Sequence, residues 1–199
     1  MKIIVVSNSA SPSQNASSLQ TARMCDQLSQ LENNVTLILP NTGLKKNLFN
    51  FYNLKKKFKI VRLKYFKKFP IGINFYFFAI ISVLKLLKFK PDLVITRNFF
   101  VSLILSIFKQ KHVMEVHDTM EIEGRLVRFL QKRINFLNFL SLFKIICTTK
   151  SLKNFYIKEY KVDKKKLKVL HNASPIIFKE KLKINRKKKL NIGFFRFNL

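Results

Sequence analysis

KPDLVITRNFFVSLILSIFKQKHVMEVHDT, residues 90 to 119, reads as strand, helix and strand in one short stretch. Pro91 sits where a strand begins and its missing N–H does least damage. Leu93 to Thr96 is then a brief apolar run bounded by polar Arg97 and Asn98. FFVSLILSIFK (99 to 109) suits a buried crossover helix, and KHVMEVHD (111 to 118) returns as the next strand. Two strands joined through a helix of this length form a parallel βαβ unit, whose right-handed crossover packs the helix against one face of the sheet.

The same alternation extends in both directions. KIIVVSNS (2 to 9) is a β-branched run of the kind buried on both faces of a parallel sheet. SLQTARMCDQLSQLENN follows at helical spacing, with Ser17 or Ser18 as the expected N-cap. VTLILP (35 to 40) and FKIVRLKYF (58 to 66) read as further strands, with residues 41 to 57 as a loop between them and a Phe-rich helix over about 73 to 88. Downstream come a basic amphipathic helix over 124 to 140 and a strand, FKIICTT (143 to 149). A helix over 151 to 160 and a strand running into a turn over 166 to 174 complete the set. Strands alternating with helices specify a doubly wound, Rossmann-like α/β sheet. In such sheets ligands bind at the carboxyl ends of the strands, where strand order reverses. The loops after Ser9, Thr96, Asp118, Thr149 and Leu170 form that rim.

The expected domain covers residues 1–178. The polar basic run KEKLKINRKKK (179–189) reads as a linker. KLNIGFFRFNL then looks like an opening strand, residues 190–199, of a second α/β unit with no helix after it, the pattern of a fragment.

Composition narrows the partners. At 199 residues, 48% of them hydrophobic, the chain can bury a sizeable core, which excludes a disordered basic tail. Its formal net charge of +29 implies attraction to polyanions. Between Glu32 and Asp92 Lys and Arg occur 13 times with no acidic residue at all. Cys25 and Cys147 are far apart inside apolar segments, the pattern of reduced thiols in a cytoplasmic protein. Residues 73 to 87 fall short of the roughly 20 apolar positions needed to span a bilayer, and the N-terminal apolar run is too short for a signal peptide.

Against this basic background four of the ten acidic residues, Glu115, Asp118, Glu121 and Glu123, gather around His117. Strand alternation puts Glu115 and His117 on one side. A carboxylate there can fix the imidazole tautomer, leaving the ring to meet a substrate hydroxyl or phosphate. A capping acid beside a satisfied core histidine fits the spacing as well, and no metal-ligand or triad spacing accompanies the pair. The loop with Ser9 and Ser11 offers hydroxyls and backbone donors ahead of a helix N-terminus. It is not a glycine-rich phosphate cradle, and no dinucleotide or P-loop motif occurs. Arg97 can bind a phosphate or pair with the acidic cluster, and Thr149 and Asn172 stand at two further strand ends. The basic helix over 124 to 140 can turn its apolar stripe to its own core or lie on an anionic membrane surface.

Three segments together resemble the N-terminal domain of family 4 glycosyltransferases of the GT-B fold. Residues 90 to 119 resemble the family's strand, helix and strand ending in E-x-H-D. FKIICTTKSLKNFYIKEYKVDKKKLKVLHNASP is similar to its strand ending in Ser or Thr, short helix, strand and N-G-V-D passage, with Ala173 in place of the usual glycine. LNIGFFRFNL resembles the first strand of the C-terminal domain. The resemblance implies an acceptor-binding half of a hexosyltransferase-type enzyme, acting in cell-envelope glycan synthesis. It implies a nucleotide-sugar as donor substrate, no metal cofactor, and a lipid-linked or polysaccharide acceptor at the inner face of the cytoplasmic membrane. By the same resemblance His117 is the catalytic residue. Ser9, Ser11, Arg97, Glu115, Asp118, Thr149 and Asn172 are the expected substrate-binding residues, and the chain alone is expected to be inactive without a donor-binding domain. The family's glycine pair in the first loop is absent, Ser9 to Ser13 standing in its place.

Two other readings compete. One is a basic nucleic-acid-binding module, opposed by the lack of helix-turn-helix, RNA-recognition or zinc signatures. The other is a noncatalytic remnant that pairs with a separate chain.

Overall fold

A computed structural model describes residues 1–43, 46–64, 71–119 and 125–171. Seven strands form one parallel sheet: β1 (Lys2–Val6), β2 (Asn34–Asn41), β3 (Lys59–Lys64), β4 (Leu93–Thr96), β5 (His112–Val116), β6 (Leu142–Cys147) and β7 (Leu167–Val169). Their order is β3-β2-β1-β4-β5-β6-β7, so the chain winds outward from β1, crosses back beside it at β4, and winds outward again. The expected Rossmann-like doubly wound α/β fold is therefore present, with its reversal between β1 and β4.

Parity along the strands divides the core. Ile3 and Val5 of β1, with Val35, Leu37 and Leu39 of β2, pack against α1 (Ala16–Gln30) and α2 (Leu48–Tyr52). Ile4 and Val6 point to the opposite face and meet α3 (Ile71–Phe89) and α4 (Phe99–Ile107). Farther along that face Met114 and Val116 of β5 and Ile145 and Cys147 of β6 lie under α4, α5 (Arg125–Ile134) and α6 (Lys150–Tyr160). Both cysteines are buried and unpaired, and burial pushes the Cys147 thiol up to about 11, so it stays protonated.

Several expected boundaries are corrected. The segment read as a loop over 41 to 57 contains α2, a helix too short to show a period but closed at both ends. The Asn47 side chain accepts from Phe49 N and Asn50 N, and Asn53 takes the left-handed conformation that ends it. The first helix starts two residues earlier than a Ser17 cap requires, and three earlier than a Ser18 cap. Asn15 stands at the cap without a side-chain bond, and Ser17 and Ser18 lie inside the first turn. The basic helix ends at Ile134 rather than running to 140, because Asn135 turns left-handed (φ 52) and leads into a 3-10 turn over Phe136–Asn138. β5 stops at Val116, so His117 and Asp118 belong to the loop beyond it. The expected linker 179–189 and strand 190–199 lie outside the described residues, as do Glu121 and Glu123.

Among the described residues no helix is long and apolar enough to cross a membrane.

Candidate functional site

At the reversal between β1 and β4 the loops diverge and leave a cleft of about 410 Å³. Asn8, Ser17 and Gln20 line it from the β1–α1 side, Arg97 and Phe99 from the end of β4, and Glu115, His117 and Asp118 from the end of β5. Strand ends that are neighbours in the sheet but distant in sequence thus converge on one volume.

Glu115 is the hub. Arg97 Nε donates to Oε2 at 3.0 Å and Arg97 Nη2 to Oε1 at 3.0 Å, a two-point fork. His117 Nε2 donates to the same Oε1 at 2.8 Å. Burial by itself would raise the Glu115 carboxyl. The hydrogen bond from His117 and the charge of Arg97 outweigh it and hold the group below the usual carboxylate range. Glu115 is an anion here, and its acceptance from Nε2 leaves His117 Nδ1 as the ring atom with no hydrogen-bond partner among the described residues.

His112 shows the contrasting case. Its ring is fully buried, with Nδ1 donating to Gln110 O and Nε2 accepting from Ser102 Oγ, both at 2.8 Å. Burial pushes it down to about 4. The satisfied core histidine that spacing allowed at His117 is found at His112 instead.

The remaining expected residues separate. Asp118 lines the cleft and is exposed, its carbonyl accepting from the Tyr156 hydroxyl at 3.1 Å. Arg97 lines it too, but the fork with Glu115 and long contacts to Ser17 at 3.4 Å occupy its guanidinium. Ser9 lies one step behind the wall, its hydroxyl 2.9 Å from that of Ser17. Ser11 is buried away from the cleft; its carbonyl accepts from Arg62 and its hydroxyl has no partner among the described residues. Thr149 caps α6, accepting from Leu152 N at 3.1 Å. Asn172 lies outside the described residues.

Sequence reading passed over Asn8, Gln20 and Phe99 as individual residues. Only the position of Asn8 just past β1, and of Gln20 one helical turn into α1, could have marked them.

Residues 18–174 match the model of Glycosyltransferase Family 4. The chain belongs to that family. Among solved structures, Anabaena HepE in complex with UDP and glucose is 15% identical with a TM-score of 0.58, over 88% of this chain and 45% of that one. UDP-GlcNAc 2-epimerase from Neisseria meningitidis, bound to UDP-GlcNAc, is 15% identical with a TM-score of 0.59, over 85% and 45%. The lipopolysaccharide outer core galactosyltransferase WaaB in its apo form is 12% identical with a TM-score of 0.57, over 88% and 47%. At these identities the likeness shows the fold, half of a GT-B architecture. The family 4 chain spans about half the length of the solved relatives it matches. No curated protein matches its sequence significantly. Among the described residues no three His, Cys, Asp or Glu side chains come together as a metal-holding group.

Proposed function

We propose that this chain is the acceptor-side half of a glycosyltransferase, and that the cleft at the β1–β4 reversal receives the reacting hydroxyl. The observation that carries the reading is the His117 ring in the cleft, held through Nε2 by an anionic Glu115 and without a hydrogen-bond partner at Nδ1 among the described residues. The fold does not distinguish transferase from epimerase, since relatives of both kinds superpose equally well. The family match favours the transferase.

In this reading a hydroxyl of the sugar or acceptor donates to Nδ1. As that proton moves toward the ring, the imidazolium charge develops beside the Glu115 carboxylate, which is already oriented by Arg97. Asp118 and Asn8 offer acceptors and donors for neighbouring hydroxyls. The donor is a nucleotide-sugar, as the UDP-bound relatives suggest, held mainly by a second α/β domain, and no metal is assigned to this half. The acceptor is a lipid-linked or polysaccharide glycan of the cell envelope at the cytoplasmic membrane face. The charge of +29 supports an anionic partner there.

The test is incorporation of sugar from a panel of nucleotide-sugars into extracted lipid-linked acceptor. It is run on the chain alone and with a donor-binding domain supplied, for wild type and His117→Ala. Transfer is expected only with the donor domain present and is expected to fall by about 100-fold or more in the variant. Undiminished transfer by His117→Ala overturns the assignment.

A further inference from the structure

α3 buries Asn74, Phe78, Ala79, Ser82, Val83 and Leu86 toward the sheet, which satisfies its role as the β3-to-β4 crossover. Its other side is also apolar. Ile73 (54% exposed), Ile80 (45%) and Leu84 (53%) stand in one outward row that half-buried Phe77 completes, with exposed Lys85 and Lys88 on the last turns. Single exposed apolar side chains are ordinary, whereas a row along one helix face marks a contact surface. α5 also exposes Leu126 and Phe129, but the Arg133 guanidinium lies 5.7 Å over the Phe129 ring and partly covers it.

We propose that the outward face of α3 docks on an anionic lipid bilayer, with Ile73, Ile80 and Leu84 entering the acyl boundary and Lys85 and Lys88 meeting the headgroups. The proposal rests on the reading of a lipid-linked acceptor and specifies the surface that delivers it. Charge complementarity selects the partner. α3 lies within the Glu32-to-Asp92 stretch that holds 13 cations and no acid, so a second copy packed on this face would bring uncompensated lysines together, whereas anionic headgroups neutralise them. Topology adds a reason for the location. α3 leaves the carboxyl end of β3 and returns to the start of β4, so its Ile73 end lies at the strand-end rim where the cleft opens.

The test uses flotation with vesicles of phosphatidylglycerol and phosphatidylcholine in equal parts, against phosphatidylcholine alone. Wild type is expected on the anionic vesicles. The exposed double substitution Ile80→Ser with Leu84→Ser is expected to lower partitioning by about tenfold or more, with circular dichroism unchanged. Because the chain has no Trp, Leu84→Trp reports insertion directly, its emission shifting to the blue with anionic vesicles. Retained binding by the double variant, or an unshifted Leu84→Trp emission, overturns the proposal. So does a dimer of the wild type that the double variant abolishes. With a donor-binding domain supplied, transfer to a soluble acceptor analogue is expected to be unchanged in the double variant. Loss of vesicle binding without loss of that transfer therefore separates this surface from the cleft, and failure of the transfer reading shows instead at His117.

Discussion

Arg97 and Glu115, 18 residues apart, meet across the ends of neighbouring strands through two hydrogen bonds of 3.0 Å each. The fork holds the carboxylate to which His117 is tied, so Arg97 acts on the cleft through Glu115. Arg97→Lys keeps the charge but cannot make both bonds. It is expected to destabilise the fold by about 1–3 kcal/mol, discounted for partial exposure. It is also expected to lower transfer mainly through kcat, read from urea melts and from a kcat-against-KM comparison.

Glu115→Gln tests the tie to His117. The amide oxygen can still accept from Nε2, but the amide nitrogen then faces the Arg97 guanidinium, donor against donor. The expected outcome is a lower urea midpoint and a transfer rate reduced by about tenfold or more. Glu115→Ala is expected to lose more of both.

Two groups set the acid sensitivity of the fold. Glu115 titrates lower in the folded chain than in the unfolded one, so its contribution is present above the ordinary carboxylate range and is lost as pH falls through the lowered value. His112 is held at about 4 against an ordinary 6.5. Between those values the unfolded chain binds the extra proton, so stability rises with pH across that window and falls by about 3 kcal/mol from its top to its bottom. Urea midpoints measured from pH 7 down to pH 4 should decline accordingly. Replacing His112 with Gln should flatten the decline above pH 5, where Glu115 contributes least.

Tyr52 pins the loop that forms one wall of the cleft. Its hydroxyl donates to Ser13 O at 2.7 Å and accepts from Ser13 N at 2.8 Å and Ser18 Oγ at 2.6 Å. Tyr52→Phe removes all three bonds and leaves the Ser18 hydroxyl buried without them. It is expected to cost about 1–3 kcal/mol and to speed amide hydrogen exchange at residues 9 to 15, while leaving the far sheet edge around β7 unchanged.

Much of the fold was legible because its strands are short apolar runs between helical periods, a pattern that depends only on near neighbours. The element missed, α2, has five residues and no period to read. The basic helix ran long because Leu137 and Phe136 continue its apolar rhythm, although the left-handed Asn135 had already broken the helix and those side chains are buried from a 3-10 turn. At the site, the pairing of Glu115 with His117 was readable because the two are separated by one residue. The same adjacency could not distinguish a substrate-facing imidazole from a core one. His112, five positions earlier, took the core role because its ring points to the covered face, where Ser102 and Gln110 complete its hydrogen bonds.

The order of strands and helices, the parallel sheet, the excess of positive charge and the kinship with family 4 glycosyltransferases were determined by sequence alone, since each depends on local pattern and composition. Which strand ends share a cleft depended on the sheet order that sets β1 beside β4. That neighbourhood brings Arg97 to Ser17, while the pairing of β4 with β5 brings it to Glu115. It also left Ser11 and Thr149, equally plausible by type, buried in a loop or committed to a helix cap. Hydrogen bonds are made between side chains close in space, and distance in space is what the tertiary packing decides.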